Sequence, residues 1–219
     1  MIPLRITTRA PVGFVAGHPV HLDALLMSVV ARRARPAHHA PQASAELVPL
    51  DVPLARSECG RYYLASAMMY ESDGSETIHV SRRFPVRTAF RLGPEIKRID
   101  EKSGPHRAFR FPIERRHARG GLLAWYCLGE REAIVDLLSE VTHIGRKRHR
   151  GEGMLTLRGE RWTVEPCEPW GEGFPVMREG EALRNLPLDT PGLERFRHLQ
   201  APLEPPYWLP CDEFAAVPL

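Results

Sequence analysis

The sequence predicts an α+β fold of the ferredoxin-like (RRM-like) kind, and three observations predict it. Leu4, Ile6 and Thr8 alternate with Arg5, Thr7 and Arg9, the period of a half-buried strand, and Leu22, Leu25, Leu26 and Val29 follow at helical spacing. The same order recurs late in the chain, with an apolar run at 122–128, a helical face from Ile134 and a further apolar run at 154–164. Two such strand-helix-strand units make the split βαβ arrangement of a single domain over residues 1–219.

The first strand is followed by a turn between Pro11 and Pro19. The first helix carries Asp23 in its opening turn and Arg32 and Arg33 in its last, where the helix dipole favours an anion and cations respectively. From Arg35 to Pro53, proline, alanine and histidine break the periodicity, which predicts a loop with one short strand at Glu46 to Leu50. Arg61 to Tyr70 reads as a strand, Ser72-Asp73-Gly74-Ser75 as a turn and Thr77 to Val80 as a returning strand, together a hairpin. In the second unit, Leu122 to Leu128 reads as a buried strand ended by Gly129. Ile134, Leu137, Leu138, Val141 and Ile144 form an apolar helix face, with Glu130 and Glu132 in the first turn. Met154, Leu155 and Leu157 open a strand that Arg161 to Val164 continue past Gly159. The tail of about 166–219 is rich in Pro and Gly and predicts irregular structure on the surface.

Between the two units, residues of about 81–121 read as an arginine-rich insertion. Arg82, Arg83, Arg107, Arg110, Arg115 and Arg116 are interleaved there with Phe84, Phe90, Phe109 and Phe111. Charge for phosphates beside π-faces for bases is what a single-stranded nucleic acid needs. A solvated insertion whose phenylalanines anchor it to the core carries the same pattern.

Composition narrows the function classes. At 219 residues with 43% hydrophobic content the chain is long enough for a core and ordinary for a globular protein. The net charge is only +3. The positive side is almost entirely arginine, however, since the only lysines are Lys97, Lys102 and Lys147. Arginine grips phosphate with a planar fork and stacks on bases, although GC-rich coding produces the same bias. Cys59, Cys127, Cys167 and Cys211 lack C-x-x-C spacing, which argues against a zinc knuckle or redox pair and predicts reduced thiols. The N-terminus has no signal-peptide pattern and no apolar run approaches membrane-spanning length, so a cytoplasmic location without a membrane partner is expected.

The sharpest feature is the run Gly145-Arg146-Lys147-Arg148-His149-Arg150-Gly151-Glu152-Gly153, between a helix pattern and a strand pattern. Gly145, Gly151 and Gly153 permit positive φ and remove side-chain obstruction, so backbone N–H groups can face a phosphate while the cations supply charge. A glycine helix cap with terminal cations is the plainer explanation, but a cap needs one or two cations rather than a near-continuous run. The loop points to a nucleic-acid phosphate.

A ferredoxin-like half followed by helix, Ile144-Gly145, the basic run, Gly151-x-Gly153 and a strand resembles the glycine-rich loop of the RAMP superfamily of CRISPR-associated proteins. Pro3-Leu4-Arg5-Ile6-Thr7 with Pro11-Val12, His21 to Leu26, His143 to Arg148, Trp162-Thr163-Val164, Met177-Arg178 and Leu186-Pro187 are similar to the Cas-five-like subunits of type IV CRISPR effector complexes, the third Csf family. Glu152, between the loop glycines, departs from that pattern, where an aromatic or small residue is expected. The resemblance implies a RAMP fold and a non-catalytic, RNA-binding subunit without cofactor or metal. Such a subunit holds the 5′ handle of the guide RNA (crRNA) and caps the filament of backbone subunits. It sits beside the large subunit, with target DNA near the protospacer-adjacent motif as a further candidate partner. The implied RNA contacts are Gly145, Arg146, Lys147, Arg148, His149, Arg150, Gly151 and Gly153. The resemblance does not cover Arg35 to Gly121, and there the interleaving of cations and aromatics alone adds Arg82, Arg83, Arg107, Arg110, Arg115 and Arg116 as RNA contacts.

The alternative is a metal-independent endoribonuclease that processes guide-RNA precursors. It needs a general base for a ribose 2′-OH and cations for the phosphorane, and His38, His39, His143 and His149 are the candidates. An enzyme acting on a small molecule has no support, because Walker A, Rossmann, nucleophile-elbow and H-E-x-x-H patterns are absent from the sequence.

Overall fold

The computed structural model describes residues 1–16, 18–34, 51–82, 109–146, 150–156, 161–191, 193, 198–203 and 214–216. The expected strand at Glu46 to Leu50 lies outside them. The fold is mixed α+β with antiparallel sheets, compatible with a ferredoxin-like arrangement.

Strand β1 (Ile2–Arg9) is central and pairs antiparallel with two strands, β4 (Leu122–Gly129) and β5 (Trp162–Pro166). Ile6 lies opposite Trp125 on one side and Val164 on the other. The segment 63–70 adds a fourth, interrupted edge, bridging Ala65 to Cys127 and Met69 to Ala124. The order from that edge is therefore segment 63–70, β4, β1, β5. Because side chains alternate across a strand, Leu4, Ile6, Leu123, Trp125, Cys127 and Val164 share one face. Helices α1 (Leu22–Ala34) and α2 (Arg131–Ser139) cover that face, and Leu22, Leu26, Val29, Ile134 and Leu138 complete the main core. Arg33 ties the helices together at their exposed ends, 2.6 Å from Asp136 and 2.5 Å from Glu140.

Three expectations change. The predicted hairpin of 61–70 with 77–80 does not form. Instead β2 (Ser72–Arg82) pairs with β3 (Phe109–Ala118), so part of the expected insertion is a regular two-stranded ribbon. Ser72 to Ser75 is a bulge inside β2 rather than a turn. Gly74, at φ +106°, absorbs the extra residue between the pairs Ser72↔Ala118 and Ser75↔Arg116.

The helical face expected through Ile144 stops at Ser139, whose hydroxyl bonds back to the Asp136 carbonyl at 2.6 Å. Val141 and Ile144 are still buried, but outside the helix.

The tail is also more ordered than its Pro and Gly content predicts. It contains the pair β6 (Met177–Arg178) with β7 (Glu181–Ala182), and a small sheet ordered β8 (Leu186–Pro187), β10 (Phe214–Ala216), β9 (His198–Gln200). Val176, Ala182, Leu186 and Leu193 form a second core against Tyr62 and Leu64. Trp170 stands edge-on to Tyr126 with ring centroids 4.7 Å apart, on the sheet face opposite the helices.

Candidate nucleic-acid interface

Three distant stretches meet at one end of the main sheet: the turn after β1, the base of the β2–β3 ribbon and the glycine loop after α2. Phe14 exchanges both main-chain hydrogen bonds with Arg116 of β3, each 2.9 Å. The next residue, Val15, accepts from the Arg146 amide at 2.7 Å, and Gly13 accepts from the Gly153 amide at 2.9 Å. The turn thus acts as a short bridging strand between ribbon and loop.

The glycines follow from this crowding. A Cβ on Gly145 would lie 2.4 Å from the Val15 oxygen and one on Gly153 would lie 1.9 Å from the Ile144 oxygen, both against main chain that cannot rotate away. Gly145 and Gly153 also have φ of +80° and +66°. Gly151, at φ +83°, has nothing among the described residues within 4 Å of its Cβ position. Helix α2 ends at Ser139, so helix capping does not account for Gly145. The base of the loop is closed by Ile144 N–H to the Gly153 carbonyl at 2.8 Å and Leu155 N–H to the Thr142 carbonyl at 3.0 Å.

This geometry divides the expected phosphate donors. The amides of Arg146 and Gly153 are taken up by Val15 and Gly13 and hold the loop in place rather than facing outward. The side chains of Arg146 and Arg150 are exposed, and Arg150 donates to the Ser81 carbonyl at 2.9 Å, which brings it against β2. Lys147, Arg148 and His149 lie outside the described residues, as do Arg83, Arg107, His38 and His39. Arg82 lies at the end of β2, opposite Phe109.

Along β3 the alternation of the strand sorts the cations. Arg110 and Arg116 are exposed, with Arg116 3.3 Å from Glu114, whereas Arg115 faces the loop. Its Nε and Nη2 donate to the two carboxylate oxygens of Glu152 at 2.7 and 2.5 Å, and its Nη1 donates to Glu76 at 2.7 Å. His117 Nε2 is 3.2 Å from the same Glu76 oxygen. Hydrogen bonding to Glu152 raises the Arg115 pKa above the ordinary guanidinium value, and hydrogen bonding from Arg115 and then His117 lowers that of Glu76. The pair of Arg115 with Glu152 has little signature in the sequence. Its one signal is the lone carboxylate amid the cations, which needs a partner once buried.

His143 is half-buried, with Nδ1 2.9 Å from the Thr142 hydroxyl, and its main chain bridges Met154. Among the described residues no group of three or more His, Cys, Asp or Glu side chains is placed to hold a metal ion. No helix among them is long and apolar enough to cross a membrane.

The family model described as CRISPR type IV associated protein Csf3 matches residues 67–217, which include the ribbon, the glycine loop and the tail. No curated protein matches the chain.

Proposed function

The chain belongs to the family of CRISPR type IV associated protein Csf3, and on that premise we propose that it is a non-catalytic effector subunit that grips the 5′ handle of the guide RNA. The observation that carries this reading is the glycine loop. Its base is fixed by close main-chain hydrogen bonds, no described residue lies within 4 Å of the Cβ position of Gly151, and Arg146 and Arg150 are exposed on either side of the cation run. A fixed base with exposed cations suits a phosphate backbone held by shape and charge, with sequence left to base pairing. Arg110 and Arg116 are exposed on the other face of the ribbon from the loop, where they offer further cations to a strand that wraps it.

In this reading the domain is a RAMP fold, supported by the order segment 63–70, β4, β1, β5 with both helices on one face. The subunit caps the filament of backbone subunits beside the large subunit, within a type IV ribonucleoprotein complex directed against viruses and plasmids. Target DNA near the protospacer-adjacent motif is the further proposed partner.

The test is co-expression with the neighbouring genes, purification through this chain and sequencing of the bound RNA. A small RNA with one defined 5′ end is expected. Absence of RNA, or a population with no common end, overturns the reading.

A further inference from the structure

Glu152 is a carboxylate inside the most basic stretch of the chain, between Gly151 and the base glycine Gly153. A free carboxylate there repels the phosphate that the neighbouring cations attract. In the structure it is not free. Only 6% of the Glu152 side chain is exposed, and both its oxygens are held by the fork of Arg115. Arg115 is in turn held by Glu76, its partner directly across the ribbon, and Glu76 also meets His117. One continuous chain of charge-assisted hydrogen bonds therefore runs from the loop into both strands of the ribbon.

We propose that Arg115 and Glu152 form a latch that positions the glycine loop for a phosphate, with Arg115 acting through Glu152 rather than touching the RNA. This rests on the reading of the loop as an RNA site. Arg115 does two things in it. The bidentate pair fixes the loop beside Gly151, whose Cβ position has no described residue within 4 Å, and the guanidinium cancels a negative charge that the loop would otherwise present to its ligand. Arg115 is thereby separated from Arg110 and Arg116, which are exposed on the opposite face of the same strand.

The latch makes a prediction of unusual sign. Arg115→Ala leaves the Glu152 carboxylate uncompensated among the cations, so adding Glu152→Ala to it improves binding. With full-length protein and a synthetic repeat RNA carrying the 5′ handle, Arg115→Ala is expected to bind about tenfold more weakly, and the double variant about threefold more tightly than Arg115→Ala. The slope of log affinity against log salt stays at the wild-type value in both variants, because every phosphate remains engaged by the same cations. A slope reduced by roughly 0.7 in Arg115→Ala, with no recovery in the double variant, means that Arg115 itself binds a phosphate and overturns the latch.

Arg115→Lys keeps the charge without the fork and is the variant to use if Arg115→Ala does not fold. Intermediate affinity is expected, and affinity equal to wild type counts against the bidentate geometry. Amide exchange at Gly153 and Met154, measured on free protein, separates this proposal from the RNA reading. Exchange is expected to quicken in Arg115→Ala. If it does so while wild-type protein ignores the RNA, the RNA reading falls alone. If wild type binds and Arg115→Ala alters neither exchange nor affinity, the latch falls.

Discussion

Asp23, in the first turn of α1, lies 3.4 Å from the guanidinium of Arg184 in the tail, and both side chains are fully buried. Asp23 also accepts the Ala24 amide at 2.8 Å. Arg184 donates to the main-chain carbonyls of Tyr63, Ala65, Asn185 and Leu203, and its guanidinium lies 5.1 Å from the centre of the Tyr62 ring. One arginine thus joins the helix start, the edge segment 63–65 and the tail.

Arg184→Met is expected to destabilise the protein by about 3–5 kcal/mol, because it removes a fully buried cation from beside the buried Asp23 carboxylate. Adding Asp23→Asn is expected to recover part of that loss. Urea unfolding measures both, and a loss below about 1 kcal/mol shows that the pair does not hold the tail.

His21 gives a pH dependence. Burial first, and the charge of Arg184 second, push its pKa well below the ordinary 6.5. The unfolded chain therefore takes up a proton below that value while the folded chain does not, so stability is full above it and declines as the pH falls through it. The midpoint of thermal unfolding should drop between about pH 7.5 and about pH 5.5, and His21→Asn should flatten that drop. An equal drop in the variant assigns the effect to other groups.

Much of the main sheet is legible in the sequence, and the reason is burial on one face. Leu4, Ile6 and Thr8 carry a clean period of two and α1 carries a clean helical period, so β1, α1 and β4 fall within a residue or two of where the patterns place them. Of the ribbon only the stretch Thr77 to Val80 is legible, inside β2; its partner β3 is not, because both faces are largely exposed and Arg115 and His117 stand on the face where Phe111 and Ile113 begin an alternation. Gly74 misleads for a related reason, since the residue chemistry that makes a turn also makes a bulge. The second core depends on Tyr62 and Leu64 meeting Val176 and Leu186, residues far apart in the chain whose meeting no local pattern announces. Of the site, the glycines and the cation run are legible, but the partner of Glu152 lies on another strand.

The glycines should differ in tolerance. Gly153→Ala places a methyl 1.9 Å from the Ile144 oxygen at φ +66°. A loss above about 3 kcal/mol is expected. Gly151→Ala meets nothing among the described residues within 4 Å. It should cost about 1–2 kcal/mol for its left-handed backbone alone. Thermal or urea unfolding ranks them, and equal costs contradict the division of roles.

Replacing Arg146, Lys147, Arg148 and Arg150 together with alanine should weaken handle-RNA binding and lower its salt slope by roughly 0.7 for each phosphate no longer neutralised. Titrations at several salt concentrations give the slope. A folded variant with an unchanged slope removes the cation run from the RNA site.

Purified protein should leave unprocessed repeat RNA intact, with or without added metal. Cleavage at one repeat position, abolished on changing one of His38, His39, His143 or His149 to alanine, reverses the assignment in favour of a ribonuclease.

Strand β1 sits outside the span 67–217 that identifies the family, yet among the described residues it is the one strand hydrogen-bonded to β5 and the main partner of β4. The glycine loop depends on the same outlying stretch, through Gly13 and Val15. The recognisable portion is therefore not an excisable module. A fragment cut at residue 67 would expose two orphaned strand edges and an unanchored loop, so its failure to bind RNA would reveal nothing about the cations it retains.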